Sequence, residues 1–145
     1  MGFDLSPIAG ASLPIKLHLA TVLPAFALGL YLIFASKKGS PLHRRLGFLY
    51  MGLMVATAIA SIFIHAINPR GFFGLSPVHL FVPLTAWAVY NGYLGAKTHN
   101  TIRHRGAMIG LFIGGLLIAG SLTFLPGRIM HAVFFPATET AAPAR

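Results

Sequence analysis

Ser40-Pro41-Leu42-His43-Arg44-Arg45 is the stretch from which the rest of the chain can be read. Serine is a preferred N-cap, proline suits the first helical turn, and a long apolar run begins at Leu46, so this is a helix start with His43 in its first turn. Ser76-Pro77-Val78-His79 has the same form. Thr101-Ile102-Arg103-His104-Arg105 opens the last apolar run and repeats the His-Arg dipeptide. Each of these starts places an imidazole at the end of an apolar segment.

Those segments carry the composition. The 145 residues are 56% hydrophobic and 9% charged, with a mean hydropathy of +0.77, too apolar for a soluble domain and too short for two domains. A bilayer-spanning helix needs about 20 apolar residues, because every backbone polar group must be satisfied within the segment. Four runs qualify, and no stretch alternates as barrel strands do. The expected fold is all-α, an integral membrane four-helix bundle with helices at about 13–36, 41–67, 77–97 and 101–125. Residues 13–126 form its transmembrane domain, 1–12 an outer N-terminal tail and 127–145 an outer C-terminal tail. Ser12 is placed to cap the first helix, and Pro24 inside it removes a backbone hydrogen bond and introduces a kink.

The formal net charge of +9 would suggest nucleic acid in a soluble protein. Here the cations sit in short loops beside helix ends. Lys37, Lys38, Arg44 and Arg45 fall in the first loop and Lys97, Arg103 and Arg105 in the third, against Arg70 alone in the second. By the positive-inside rule the first and third loops are cytoplasmic and both termini lie outside, a multi-pass topology for a bacterial inner membrane. The first helix, with Pro14, Lys16 and His18, does not resemble a cleavable signal peptide. Without cysteine there are no disulfides, iron–sulfur clusters or thiolate metal sites.

The histidines repeat. His18 and His79 stand 61 residues apart, and so do His43 and His104. The first two helices therefore read as duplicated in the last two, two parallel two-helix repeats about an axis along the membrane normal. Leu19/Leu80, Leu23/Leu84, Ala25/Ala86 and Ala27/Ala88 match at the same offset. His18 should then face His79 near the outer surface, and His43 should face His104 near the cytoplasm. Two imidazoles from opposite helices at each level are what a bis-histidine haem b requires. Thr21, Val22, Ala25 and Gly29 share the face of His18, and Val82, Pro83 and Ala86 that of His79, leaving room for a flat macrocycle. His43, Gly47, Met54 and His65 also share a face, with His43 and His65 about 33 Å apart along the helix. His65 offers an alternative, joining His18 and His79 in a three-imidazole copper or zinc site. Arg44, Arg105 and Arg70 are topology signals that can also pair with haem propionates. His99 and His131 read as interfacial polar residues, and Gly106, Gly110 and Gly114 as a small-residue face for helix packing or self-association.

The only acids, Asp4 and Glu139, lie in the tails. There is no buried acid–base pair, no nucleophile with a base and orienter, and no phosphate loop, so hydrolase and transferase chemistry is not expected.

The first-helix histidine, the Pro41-Leu42-His43-Arg44-Arg45-Leu46-Gly47 loop, His65 and His104-Arg105 resemble a bacterial family of small predicted membrane proteins known only as a domain of unknown function. That resemblance spans about Ile15 to Leu125 and implies a four-helix membrane domain without an assigned activity. The layered histidine pairs are similar in architecture to transmembrane di-haem cytochromes b. The expected function is thus electron transfer by up to two bis-histidine haems, a transmembrane oxidoreductase with a quinone or redox-protein partner. The alternative is an accessory subunit or a copper- or haem-handling assembly factor, packed in a homo-oligomer or larger membrane complex. Neither reading involves nucleic acid. The topology predicts that a C-terminal reporter active only in the cytoplasm stays silent; a signal from it would exchange the two histidine layers between the membrane faces.

Overall fold

The computed structural model describes residues 5–64, 77–126 and 128–135. His65 and Arg70, with the calls made on them, lie outside the described residues, as does the tail beyond Phe135. Among the described residues the chain is all-helical. A short α1, Ser6–Ala9, precedes α2, Leu13–Leu30, which passes through Pro24 and ends in a wide π turn, Tyr31–Ala35. The next helix, α3, is Pro41–Ile62. A 3-10 turn, Pro77–Leu80, leads into α4, Phe81–Lys97. The last long rod starts as α5, Thr101–Gly110, and continues through the π segment Leu111–Ile118, α6 at Ala119–Ser121 and a 3-10 turn at Leu122–Phe124. A final α7, Ile129–Phe134, packs near α1.

Three of these rods are long and apolar enough to cross a membrane: Leu13–Ala35, Pro41–Ile62 and Thr101–Phe124. The α4 helix is shorter, at 17 residues. Its surroundings are nevertheless those of the others, because α2 packs on α3, α3 on α4, α4 on α5, and the π continuation of α5 back on α2. In this cyclic order α3 and α5 are diagonal neighbours.

Large apolar side chains point outward and small or polar ones inward. Leu23, Phe48 and Trp87 are 64%, 60% and 63% exposed, while Thr57 and Thr85 are each only 6% exposed. Water would penalise such a surface, whereas hydrocarbon accepts it, so the outer surface suits lipid. The core is correspondingly thin: Ala25, Leu32, Tyr50, Met54, Ala88, Leu111, Phe112 and Leu116.

Glycines set how closely the rods approach. A Cβ at Gly29 would stand 2.7 Å from Cδ2 of Phe112 and 3.1 Å from Cε2 of Tyr50. One at Gly95 would stand 2.5 Å from the His104 backbone nitrogen and 2.9 Å from its Cα. The face expected to pack, Gly106/Gly110/Gly114, does not do so within the chain. A Cβ at Gly106 or Gly110 would meet nothing within 4 Å, and one at Gly114 only the Leu84 side chain at 3.8 Å.

Two further expectations are corrected. Ser12 occupies the N-cap position of α2 but makes no capping bond with its side chain. The inward face of α4 is Thr85, Ala88, Gly92 and Gly95, while Pro83 and Ala86, expected beside His79, are exposed. The 3-10 turn at Pro77–Leu80 winds at three residues per turn, so a face projected from His79 at α-helical spacing drifts out of phase.

Gly95→Ala should destabilise the fold by about 1–3 kcal/mol, because the added methyl meets backbone that cannot rotate away. Gly106→Ala should change stability by no more than about 1 kcal/mol, since its methyl enters open space. Denaturant titration in micelles compares the two, and equal costs would contradict this assignment of the close contact.

Candidate functional site

Loop chemistry brings two helix starts together at the end of the molecule richest in Lys and Arg. After the π turn, Gly39 takes a positive φ of 76° and Ser40 caps α3, its hydroxyl accepting from the His43 amide at 3.1 Å. In the other loop His99 takes the positive φ, 56°, and Asn100 is the cap, accepting from the Arg103 amide at 2.9 Å. His99, read as interfacial, is therefore the turn residue equivalent to Gly39. The caps are 60 residues apart and the histidines 61, so His43 is the third residue of its helix and His104 the fourth.

From these positions the two rings meet across the diagonal. Their centroids are 6.4 Å apart and the ring planes nearly perpendicular, at 79°. Each ring is held through Nδ1. His104 Nδ1 lies 2.8 Å from the Gly92 carbonyl oxygen, which can only accept, so this nitrogen carries the proton. His43 Nδ1 lies 2.8 Å from Ser36 Oγ, and that hydroxyl donates its own proton to the Leu32 carbonyl at 2.9 Å. Ser36 can then only accept from His43, which puts the imidazole proton on Nδ1 here too. Lys38 also caps the end of this rod, donating from Nζ to the Leu32 and Ile33 carbonyls. With the proton on Nδ1, the neutral form of either ring has its Nε2 lone pair available to a Lewis acid. A second nitrogen anchored to a carbonyl or hydroxyl is the usual support for a metal-ligating histidine.

The layer at the opposite end of the molecule is built on the same principle. His18 Nδ1 lies 3.1 Å from the Thr57 carbonyl oxygen, and the Thr57 hydroxyl donates to Thr21 Oγ1 at 2.8 Å. Thr57 is 14 residues beyond His43 on α3, so the two layers are about 21 Å apart. His79 is half-buried in the turn that begins the α4 rod, at the corresponding end of the molecule. His131 is in α7, its ring 5.2 Å from that of Phe135.

Two imidazoles bound to one metal through bonds of about 2 Å would have centroids roughly 6 Å apart, close to what His43 and His104 show. Gly47, one turn along from His43 on the same face, has open space where a Cβ would be. Arg44 and Arg105, adjacent to the two rings in sequence, are exposed, and the chain offers them no acid outside its termini. Deeper in, the Tyr50 hydroxyl is buried without a hydrogen-bond partner among the described residues. The donor set and its surroundings therefore fit a bis-imidazole cofactor. The space beneath His18 is another matter: Ala25 and Gly29 pack against core that includes Tyr50 and Phe112. Among the described residues no three metal-ligating side chains gather, and the copper or zinc cluster built on His65 lies partly outside them.

Ser36, Gly92, Gly95 and Thr57 do not stand out in the sequence as site residues. A lone serine at the end of an apolar run and a Gly-x-x-Gly pair are the only traces they leave. Removing the Ser36 hydroxyl should release His43. In Ser36→Ala the loss of a hydrogen bond worth about 1 kcal/mol should turn the single Nδ1–H tautomer of His43 into a mixture, leaving His104 unchanged. Nitrogen-15 NMR of labelled imidazoles in micelles reads both rings, and an unaltered His43 tautomer would show that Ser36 does not hold it.

No curated protein and no solved structure matches the chain. A family model does, over residues 15–142, a span that holds His18, His43, His79 and His104, so the chain belongs to the family described as predicted membrane protein (DUF2306).

Proposed function

We propose that this protein is a membrane electron-transfer protein of the cytochrome b type. Four crossings form two parallel two-helix repeats in a bacterial inner membrane, with both termini outside. His43 and His104 hold one haem b at the cytoplasmic end; a second, on His18 and His79 near the outer surface, requires the core packed against Ala25 and Gly29 to open. The observation that carries the reading is the His43–His104 ring pair, 6.4 Å apart with both Nδ1 atoms anchored. Cyclic helix packing and the shared loop design of a positive-φ residue followed by a cap support the duplication.

Such a haem supplies a reversible one-electron couple, with a potential governed by its two axial imidazoles and by burial. The chain's own part is to bind and tune. Ser36 and the Gly92 carbonyl orient the ligands and hold the Nδ1–H tautomer that presents Nε2. Arg44 and Arg105 are placed to pair with propionates at the membrane surface, and Arg70 takes the same role outside. The two carboxylates are near the ends of the sequence, so no proton is routed through an acid among the described residues. Transfer between the layers is therefore the simplest activity, from or to a quinone or a redox protein.

Haem content tests this. His43→Ala and His104→Ala should each remove about the same share of the reduced haem b absorbance. Their double variant should lose little more, because ligands of one iron are strongly coupled while distant sites are nearly additive. His18→Ala and His79→Ala should remove the remaining share. Size exclusion separates ligand loss from misfolding. Full retention of haem in both His43→Ala and His104→Ala would overturn the inner site.

A further inference from the structure

Arg103 is cationic, points at no acid, and borders an apolar groove. The chain carries 11 Lys and Arg against 2 acids, and both acids are near the termini, at Asp4 and Glu139. Arg103 instead binds a neutral acceptor: its Nε and Nη2 donate to Asn91 Oδ1 at 3.1 Å and 2.6 Å. Asn91 is itself fixed by donating from Nδ2 to the Trp87 carbonyl at 2.7 Å. Guanidinium has five N–H donors, so this contact orients the head group while leaving most of its donors and all of its charge for something outside the chain.

The groove runs between α4 and α5 and their continuation, with a volume of about 210 Å³ and walls that include Leu84, Trp87, Ala88 and Leu111. It exists because Gly106 and Gly110 have no side chains there, and a Cβ on either would meet nothing within 4 Å. Arg103 stands at its loop end and Gly115 at its deep end. The twelve steps from Arg103 to Gly115 span about 18 Å of helix, against a hydrocarbon core of about 30 Å. The groove is thus about as deep as one leaflet, capped by a cation at the surface.

We propose that this groove binds one anionic phospholipid, whose phosphate pairs with Arg103 and whose acyl chain lies along Gly106 and Gly110. Charge complementarity selects this occupant. Seven Lys and Arg flank this end of the molecule, and no acid does among the described residues, so the local field favours an anion over a zwitterion. The arrangement of Asn91 and Arg103 presents a planar donor edge of the kind that phosphate accepts. The site is independent of the histidine pair, and it accounts for the small-residue face that packs against nothing in the chain.

Native mass spectrometry of the full chain from neutral detergent tests the proposal, with phosphatidylglycerol and phosphatidylcholine of identical acyl chains added separately. One phosphatidylglycerol should be retained in preference to phosphatidylcholine. Arg103→Gln should lower its affinity about fivefold, to the phosphatidylcholine level, as expected for loss of one cation at a membrane surface. Gly110→Leu should weaken both lipids by filling the groove, with helix content and size exclusion confirming that each variant folds. Equal retention of the two lipids by the unaltered protein, or phosphatidylglycerol binding indifferent to Arg103→Gln, overturns the proposal. So does a dimer that Gly110→Leu dissociates without any change in lipid retention, since a second copy would then occupy the groove.

Discussion

Among the described residues the histidines and serine that enter the interior are held by main-chain carbonyls and hydroxyls, while the buried Tyr50 hydroxyl has no partner. Hydrocarbon offers no hydrogen bonds, and the two carboxylates are near the termini. His18 therefore turns to the Thr57 carbonyl, His104 to that of Gly92, and Ser36 to that of Leu32, leaving the serine oxygen to His43. Each of the three imidazole bonds reaches a neighbouring helix or turn, so it fixes the packing as well as the side chain. Each also puts the imidazole proton on Nδ1. The same constraint that stabilises the interior thus leaves the opposite nitrogen, Nε2, outside these bonds.

Close approach is the second requirement. The Gly92 carbonyl can reach His104 because Gly95, one turn later, lets the start of α5 lie directly on α4. Arg103 on Asn91 adds a latch beside it. At the other corner, Gly29 admits the Phe112 and Tyr50 rings, and Phe26 stacks on Phe112 at 5.6 Å. Few large side chains are fully enclosed, so the interior depends on these glycine contacts and anchored polar groups more than on the volume of its core.

The two halves share a plan but differ in detail. Their loops match at 60 residues and their histidines at 61, which rotates His104 one position further around its helix than His43. The anchors differ accordingly, a hydroxyl from the preceding turn for His43 and a helix carbonyl from the preceding rod for His104. Different partners that leave the same nitrogen available suggest that the shared feature is the ligand geometry, and that the chain reaches it by two local routes.

Much of this was legible in the residues. Run lengths, caps and prolines placed the rods within a few residues, since helix ends are local and an apolar run of about 20 residues has few alternatives. The pairing of His43 with His104 also followed from spacing, because both stand at the starts of rods entering from the same side. The identity of the anchors did not. Ser36 matters only because a π turn swings its hydroxyl under His43, and Thr57 only because its carbonyl lies where His18 arrives. The face of α4 was misjudged for a related reason, a 3-10 turn shifting its phase. The role of Gly106 and Gly110 could not be read from their spacing either, since small residues at four-residue intervals serve equally well against a helix or a lipid chain. The sequence by itself determined the rods, the places of His18, His43, His79 and His104 along them and the scarcity of acids, all consequences of composition and local propensity. Tertiary structure alone decided which carbonyl meets which imidazole and which glycines touch another helix, because those depend on helix rotation and separation, which no local preference encodes.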